Sequence, residues 1–107
     1  MITVLVVSEP DRARDLDAAA ARMPSLELLH AGDIEQALDR LARNRRIDAV
    51  LLLLGGEAAE EVVRTVREED PGAPPIFAAG SDLPGTRTLP AAEPEMLLEA
   101  LERSLAG

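Results

Sequence analysis

The chain has 107 residues, 47% of them apolar and 29% charged, the size and balance of one globular domain around a single core. It has no cysteine and no lysine, so disulfides, thiol chemistry and mechanisms that need an amine are excluded. A net charge of −9 and a single aromatic, Phe77, argue against nucleic-acid binding by this domain, because such a surface repels phosphate and offers little to stack on. The imbalance is greater in the second half: residues 54–107 hold 4 arginines against 11 acids, residues 1–53 hold 7 against 9. No apolar run approaches the roughly 20 residues of a membrane span. No basic leader precedes the first apolar run, so a cytoplasmic location is expected.

Ile2–Val7 is a continuous β-branched and leucine run, the pattern of a strand buried on both faces. Pro10 is placed to open a helix whose apolar face is Leu16, Ala19, Ala20 and Met23, and Pro24 ends it. Leu26–Leu29 reads as a short second strand. Asp33 with Gln36 three residues on forms a capping-box pattern, and Ile34, Ala37, Leu38 and Leu41 follow at helical spacing. Ala49–Leu54 is the third strand, and Ala59, Val62, Val63 and Val66 repeat the helical period. Residues 70–75, "DPGAPP", form a loop. Ile76–Ala79 is a fourth strand and Thr86–Leu89 a fifth. Pro94 opens a last helix with Leu97, Leu98, Leu101 and Leu105 inward.

This alternation predicts an open parallel sheet covered by helices on both faces. Ligands of such sheets sit beyond the carboxyl ends of the strands. Those ends read Val7-Ser8-Glu9, Leu53-Leu54-Gly55, Ala79-Gly80-Ser81 and Leu89-Pro90. Only six residues, Gly80–Gly85, separate the fourth strand from the fifth, where a parallel crossover normally takes a dozen or more and a helix.

Four stretches in order resemble the receiver domains of bacterial response regulators, over nearly the whole chain. "VLVVSEPD" (Val4–Asp11) is similar to the family's first strand and acidic turn. "HAGDIEQALDRL" (His30–Leu41) resembles its second-helix start. "IDAVLLLL" (Ile47–Leu54) resembles its third strand, and "LPAAEPEMLLEAL" (Leu89–Leu101) the stretch into its last helix. The resemblance implies a flavodoxin-like, doubly wound parallel sheet of five strands in the order 2-1-3-4-5, with the fourth helix shortened or absent, as one receiver-like domain over 1–107.

The resemblance also implies where an active receiver keeps its chemistry, and here each position has lost it. The cation-binding acidic pair falls on Val7 and Ser8, the phosphoacceptor on Leu53, the switch hydroxyl on Ala79 and the lysine on Leu89. A slip of one residue would put Ser8 and Glu9 at the acidic pair and still leave no acceptor. Elementary chemistry agrees: a hard cation wants several oxygen ligands, and phosphoryl transfer needs a nucleophile and cationic charge stabilisation. Valine, leucine and alanine supply none of these. No metal, cofactor or phosphodonor is therefore expected. Leu51–Leu54 is expected to pack as core up to the strand end.

Three further features have bland readings. Gly55-Gly56 lacks a third glycine and a following lysine, and Glu57, Glu60 and Glu61 crowd the helix start, so a tight loop is expected there. His30 is the single histidine, without a partner for metal or nucleophilic work. Arg43, Arg45 and Arg46 complement the end of the second helix.

Two functions follow. The first is a non-catalytic pseudo-receiver in signal transduction or transcription control, acting through a protein partner or a homodimer. Its expected interface is Thr86, Arg87, Thr88 and Leu89 with Leu97 and Leu101 of the last helix. The second is a small-molecule or nucleotide sensor using the strand-end crevice, whose polar groups are Ser8, Glu9, Ser81 and Asp82.

Overall fold

A computed structural model describes residues 1–44, 46–80 and 83–106. Five strands form one parallel sheet: β1 (Ile2–Val7), β2 (Leu26–Ala31), β3 (Ala49–Leu52), β4 (Ile76–Ala79) and β5 (Arg87–Leu89). Their order is β2-β1-β3-β4-β5, as expected. The helices are α1 (Pro10–Ala20), α2 (Ile34–Arg43), α3 (Gly56–Glu69) and α4 (Pro94–Ala106).

The period of two along each strand divides the core into two layers. Leu5, Val7, Val50, Leu52 and Ile76 face one way, under α2 and α3. Val4, Val6, Leu51, Leu53, Phe77 and Leu89 face the other, under α1 and α4. The predicted helical faces fill these layers: Ala37 and Leu41 of α2 and Val62, Val63 and Val66 of α3 in the first, Leu16, Leu97, Leu98 and Leu101 in the second. The aliphatic run of β1 is explained by its position between two neighbours and under helices on both faces, which buries Val4, Leu5, Val6 and Val7 and leaves Ile2 and Thr3 half-buried.

Local chemistry sets the helix starts. The Asp33 carboxylate accepts from the Gln36 backbone N–H at 2.8 Å, and the Gln36 side chain accepts from the Gly32 N–H at 2.8 Å. The first bond satisfies a donor that the first turn of α2 leaves open, and the second ties the residue before the N-cap to the helix. Pro10 opens α1, where its missing N–H costs nothing.

Boundaries shift from the sequence reading at three strands. β2 continues to Ala31, because His30 and Ala31 pair with Val6 and Val7. β3 ends at Leu52, although the Leu53 N–H still donates to the Val7 carbonyl at 2.9 Å. β5 begins at Arg87.

The link from β4 to β5 contains no helix among its described residues. Such a short return is feasible because the strands are short. β5 spans 3 residues, or about 10 Å of backward travel, and the intervening segment 80–86 reaches about 20 Å. Side-chain and backbone bonds hold it. Arg67 Nη2 of α3 donates to the Gly85 carbonyl at 2.9 Å, and Thr86 Oγ1 donates to the Leu83 carbonyl at 2.7 Å. Leu83 packs on the α2–α3 layer, so the strap covers the side where a crossover helix would lie.

Candidate functional site

The carboxyl ends of β1, β3, β4 and β5 converge at one end of the sheet. Val7 is fully buried under the α2–α3 layer. Ser8 is 3% exposed, and its groups are already used: the N–H donates to the Ala31 carbonyl at 3.1 Å and the hydroxyl to the Glu9 carbonyl at 3.1 Å. Glu9 is exposed and precedes α1, without a side-chain cap.

Leu53 is 9% exposed and packs with the cluster that contains Leu16, Phe77 and Leu97. Leu54 turns to the opposite layer and is half-buried. The β3 tip thus presents hydrocarbon on both sides of the sheet. Ala79 is half-buried in the Leu53 layer, and Leu89 is buried there. The Gly80 N–H donates to the Leu89 carbonyl at 2.9 Å and closes the β4 tip. Gly80 has φ +71°, which favours glycine, and a Cβ there would lie 3.2 Å from the Ala91 side chain, a tight approach that Ala91 would have to relieve. Ser81 and Asp82 lie outside the described residues.

Among the described residues the cleft at this end is small. A cleft of about 40 Å³ is lined by Arg12, Asp15, Leu16, Leu53, Ala92, Pro94 and Leu97. It suits one or two waters, against the roughly 300–1,000 Å³ of a small-molecule site. Its polar groups belong to one exposed edge of α1. Among the described residues no cluster of three or more His, Asp or Glu side chains is placed to hold a metal ion.

The expected interface divides. Arg87 and Thr88 are exposed on β5, and the Arg87 guanidinium lies 5.7 Å from the Phe77 ring centre, a cation–π contact. Thr86 is half-buried in its turn. Leu89, Leu97 and Leu101 are 3%, 2% and 0% exposed, so the expected apolar stripe on the last helix is corrected. All three are buried between the sheet, α1 and α4, so no partner reaches them in the folded domain, while Leu105 farther along α4 is half-buried. Met1 and Met96 are the large apolar side chains exposed among the described residues.

The remaining features are local. His30 Nε2 meets Asp17 Oδ1 at 2.7 Å, tying β2 to α1, and the Arg40 side chain donates to the His30 carbonyl at 3.3 Å. Arg43 pairs with Asp39 one turn earlier at 2.9 Å. Arg45 lies outside the described residues, and Arg46 is exposed. Gly56, with φ +60°, turns the chain into α3.

Solved structures that superpose on the chain include receiver domains of response regulators. The chemotaxis response regulator CheY4 of Vibrio cholerae superposes with a TM-score of 0.75 at 22% identity, over 96% of this chain and 98% of that one. The response regulator TrrA of Thermotoga maritima, solved in complex with Mg²⁺-BeF, gives 0.73 at 21%, over 98% and 99%. The chain has the receiver-domain fold. The pseudo-receiver domain of the CikA protein also superposes, with a TM-score of 0.67 at 18% identity over 100% of this chain and 98% of that one. No protein-family model and no curated protein sequence matches the chain. At these identities the likeness establishes the receiver fold and leaves activity to the residues.

The larger concavity, of about 880 Å³, lies at the opposite end of the sheet, where nothing was expected from the sequence. Its lining comes from α2, the residues just before β3, the end of α3 and the 70–75 loop. No contiguous motif marks it. The available signal was the acidic end of α3, Glu68-Glu69-Asp70, which opposes the usual preference of a helix carboxyl end for cations.

Proposed function

We propose that this receiver-fold domain is a pseudo-receiver. It acts by binding a protein partner in a cytoplasmic signalling or transcription-control pathway, and aspartyl phosphorylation does not switch it. The observation that supports this reading is Leu53. It occupies the β3 tip, the position that the resemblance assigns to the phosphoacceptor, and it is 9% exposed in a leucine-rich layer. No electron pair is available there to attack a phosphoryl group, and the neighbouring strand ends present valine, alanine and leucine. The one polar neighbour, Ser8, spends its hydroxyl on the Glu9 carbonyl.

Without phosphoryl chemistry, surface recognition is the function left to the fold. A sensor at the strand ends draws no support from a cleft of about 40 Å³. β5 is an edge strand, and edge strands pair readily with other chains. Homodimerisation through Thr86, Arg87 and Thr88 is one form such recognition takes, because a twofold axis uses one patch twice.

Incubation with a small acyl phosphate and Mg²⁺, followed by intact-mass measurement in acid, tests the reading. An unchanged mass is expected. An adduct of one phosphoryl group that alkali removes would overturn it.

A further inference from the structure

We infer that the groove at the amino ends of the strands docks a basic, leucine-bearing segment of a partner protein. This inference rests on the protein-interaction reading and adds the surface and the chemistry of the partner. The groove, of about 880 Å³, is open to solvent and lined about equally by polar and apolar surface. Those properties suit an extended or helical peptide better than a small molecule, which needs most of its surface enclosed. Its floor is Leu38, Leu41, Ile47 and Pro74. Leu41 and Ile47 are buried in the core below, so the floor is firm, while Leu38 and Pro74 are half-buried.

Among the described residues the charged groups that line this floor are of one sign: Asp39, Asp48, Glu69 and Asp70, with no arginine. Arg43 offsets Asp39 at 2.9 Å. The other three carboxylates meet no cation among the described residues. Asp48 accepts from the Thr3 N–H at 2.9 Å and Asp70 from the Gly72 N–H at 3.2 Å, neutral donors that leave both charges in place. Nearby arginines are turned elsewhere: Arg40 to the His30 carbonyl and Arg67 to the Gly85 carbonyl. Arg46 is exposed and does not line the groove.

Two helix ends add to this field. α2 and α3 both terminate at the groove, capped by Asn44 and Asp70, so both present the negative ends of their dipoles to it. Acids at a helix carboxyl end oppose that dipole and destabilise the helix locally. Glu69 and Asp70 are therefore placed against the stability of α3, as residues kept for recognition often are. A cation set between them relieves the conflict. The net charge of −9 favours a basic partner over a second copy of the same acidic chain.

The test uses the isotope-labelled domain and three synthetic twelve-residue peptides: alternating Leu and Arg, alternating Gly and Arg, and alternating Leu and Glu. The Leu/Arg peptide is expected to give saturable NMR shifts centred on Leu38, Leu41 and Ile47, weakening as salt rises. The Gly/Arg peptide is expected to bind at least about fivefold more weakly and the Leu/Glu peptide not at all. Ala42→Arg with Glu69→Arg changes two exposed helical positions at the groove, and Glu57→Arg with Ala58→Arg makes the same change of charge at the far end of α3. The groove pair is expected to weaken the Leu/Arg peptide at least tenfold and the distal pair less than threefold. Equal losses in both pairs, shifts scattered over the surface, or no saturable binding would overturn the inference. So would a wild-type dimer that the groove pair dissociates, because a second copy would then be the occupant. None of these results bears on phosphorylation, which the mass measurement decides separately.

Discussion

Replacing Leu53 by aspartate puts a carboxyl at the β3 tip, the position proposed above for the phosphoacceptor of an active receiver, and it should unfold the domain instead of activating it. Leu53 is 9% exposed, beneath α1 and α4 with Leu16 and Leu97. Removing its hydrocarbon costs about 2–5 kcal/mol, the range for leucine truncation in a core. The carboxyl adds a polar group with no hydrogen-bond donor in that layer, about 1–3 kcal/mol more, and a larger amount if it stays ionised. Arg12, which lines the small cleft together with Leu53, is exposed. A total near 5 kcal/mol is comparable to the whole stability of a domain in the usual range of about 5–15 kcal/mol. Leu53→Ala isolates the cavity and Leu53→Asn the uncharged polar group. Urea unfolding is followed by far-UV circular dichroism, since the chain has no tryptophan or tyrosine to report by fluorescence. With a slope of about 1–3 kcal/mol per molar urea, the midpoint should fall by roughly 2 M or more. Burial favours the neutral carboxyl, so the folded state of the variant holds its proton more tightly than the unfolded chain. Its stability therefore falls as pH rises above about 4, the unfolded value, and its deficit against Leu53→Asn should close toward that pH. A midpoint within about 0.5 M of wild type would refute the reasoning, for it would mean that the β3 tip is open to water.

Other elements give independent tests. Gly80→Ala should cost about 1–3 kcal/mol by urea unfolding, because φ +71° and the 3.2 Å approach to Ala91 both resist a Cβ. Arg67→Met removes the bond to the Gly85 carbonyl at an exposed site; a loss of about 0.5–1 kcal/mol is expected, with faster amide exchange at Thr86 and little change elsewhere. Leu101→Glu, at a fully buried position, should unfold the domain, whereas Arg87→Glu should leave stability within about 0.5–1 kcal/mol. Sedimentation of wild type beside Arg87→Glu at high micromolar concentration then reads self-association through β5: a dimer lost in the variant supports that interface, and a monomeric wild type removes it.

The architecture was legible because its signals are local. Unbroken aliphatic runs gave β1 and β3, and apolar residues three and four apart gave the buried faces of α2, α3 and α4. That the described residues between β4 and β5 form no crossover helix was legible from the few residues after β4. Misjudgements arose where distant segments meet. His30 interrupts the apolar run of β2, yet pairing with Val6 carries the strand to Ala31. Leu97 and Leu101 of α4 were expected at an interface, but α1 lies beside α4 and both are buried in the layer between helices and sheet. The Leu53 position was readable because a strand tip without a polar residue is visible in one dimension. The groove at the opposite end was not, because four separate segments build it and each looks ordinary alone.

The central claim is that the strand tips of this receiver fold do no phosphoryl chemistry. Titration of the labelled domain with Mg²⁺ and beryllofluoride, which mimics a phosphorylated aspartate, tests it directly when a phosphorylatable receiver is run in parallel as the positive control. Amide shifts of Val7, Ser8, Leu53, Leu54 and Ala79 should stay where they are while the control responds. A saturable displacement of those resonances that requires both Mg²⁺ and beryllofluoride would contradict it.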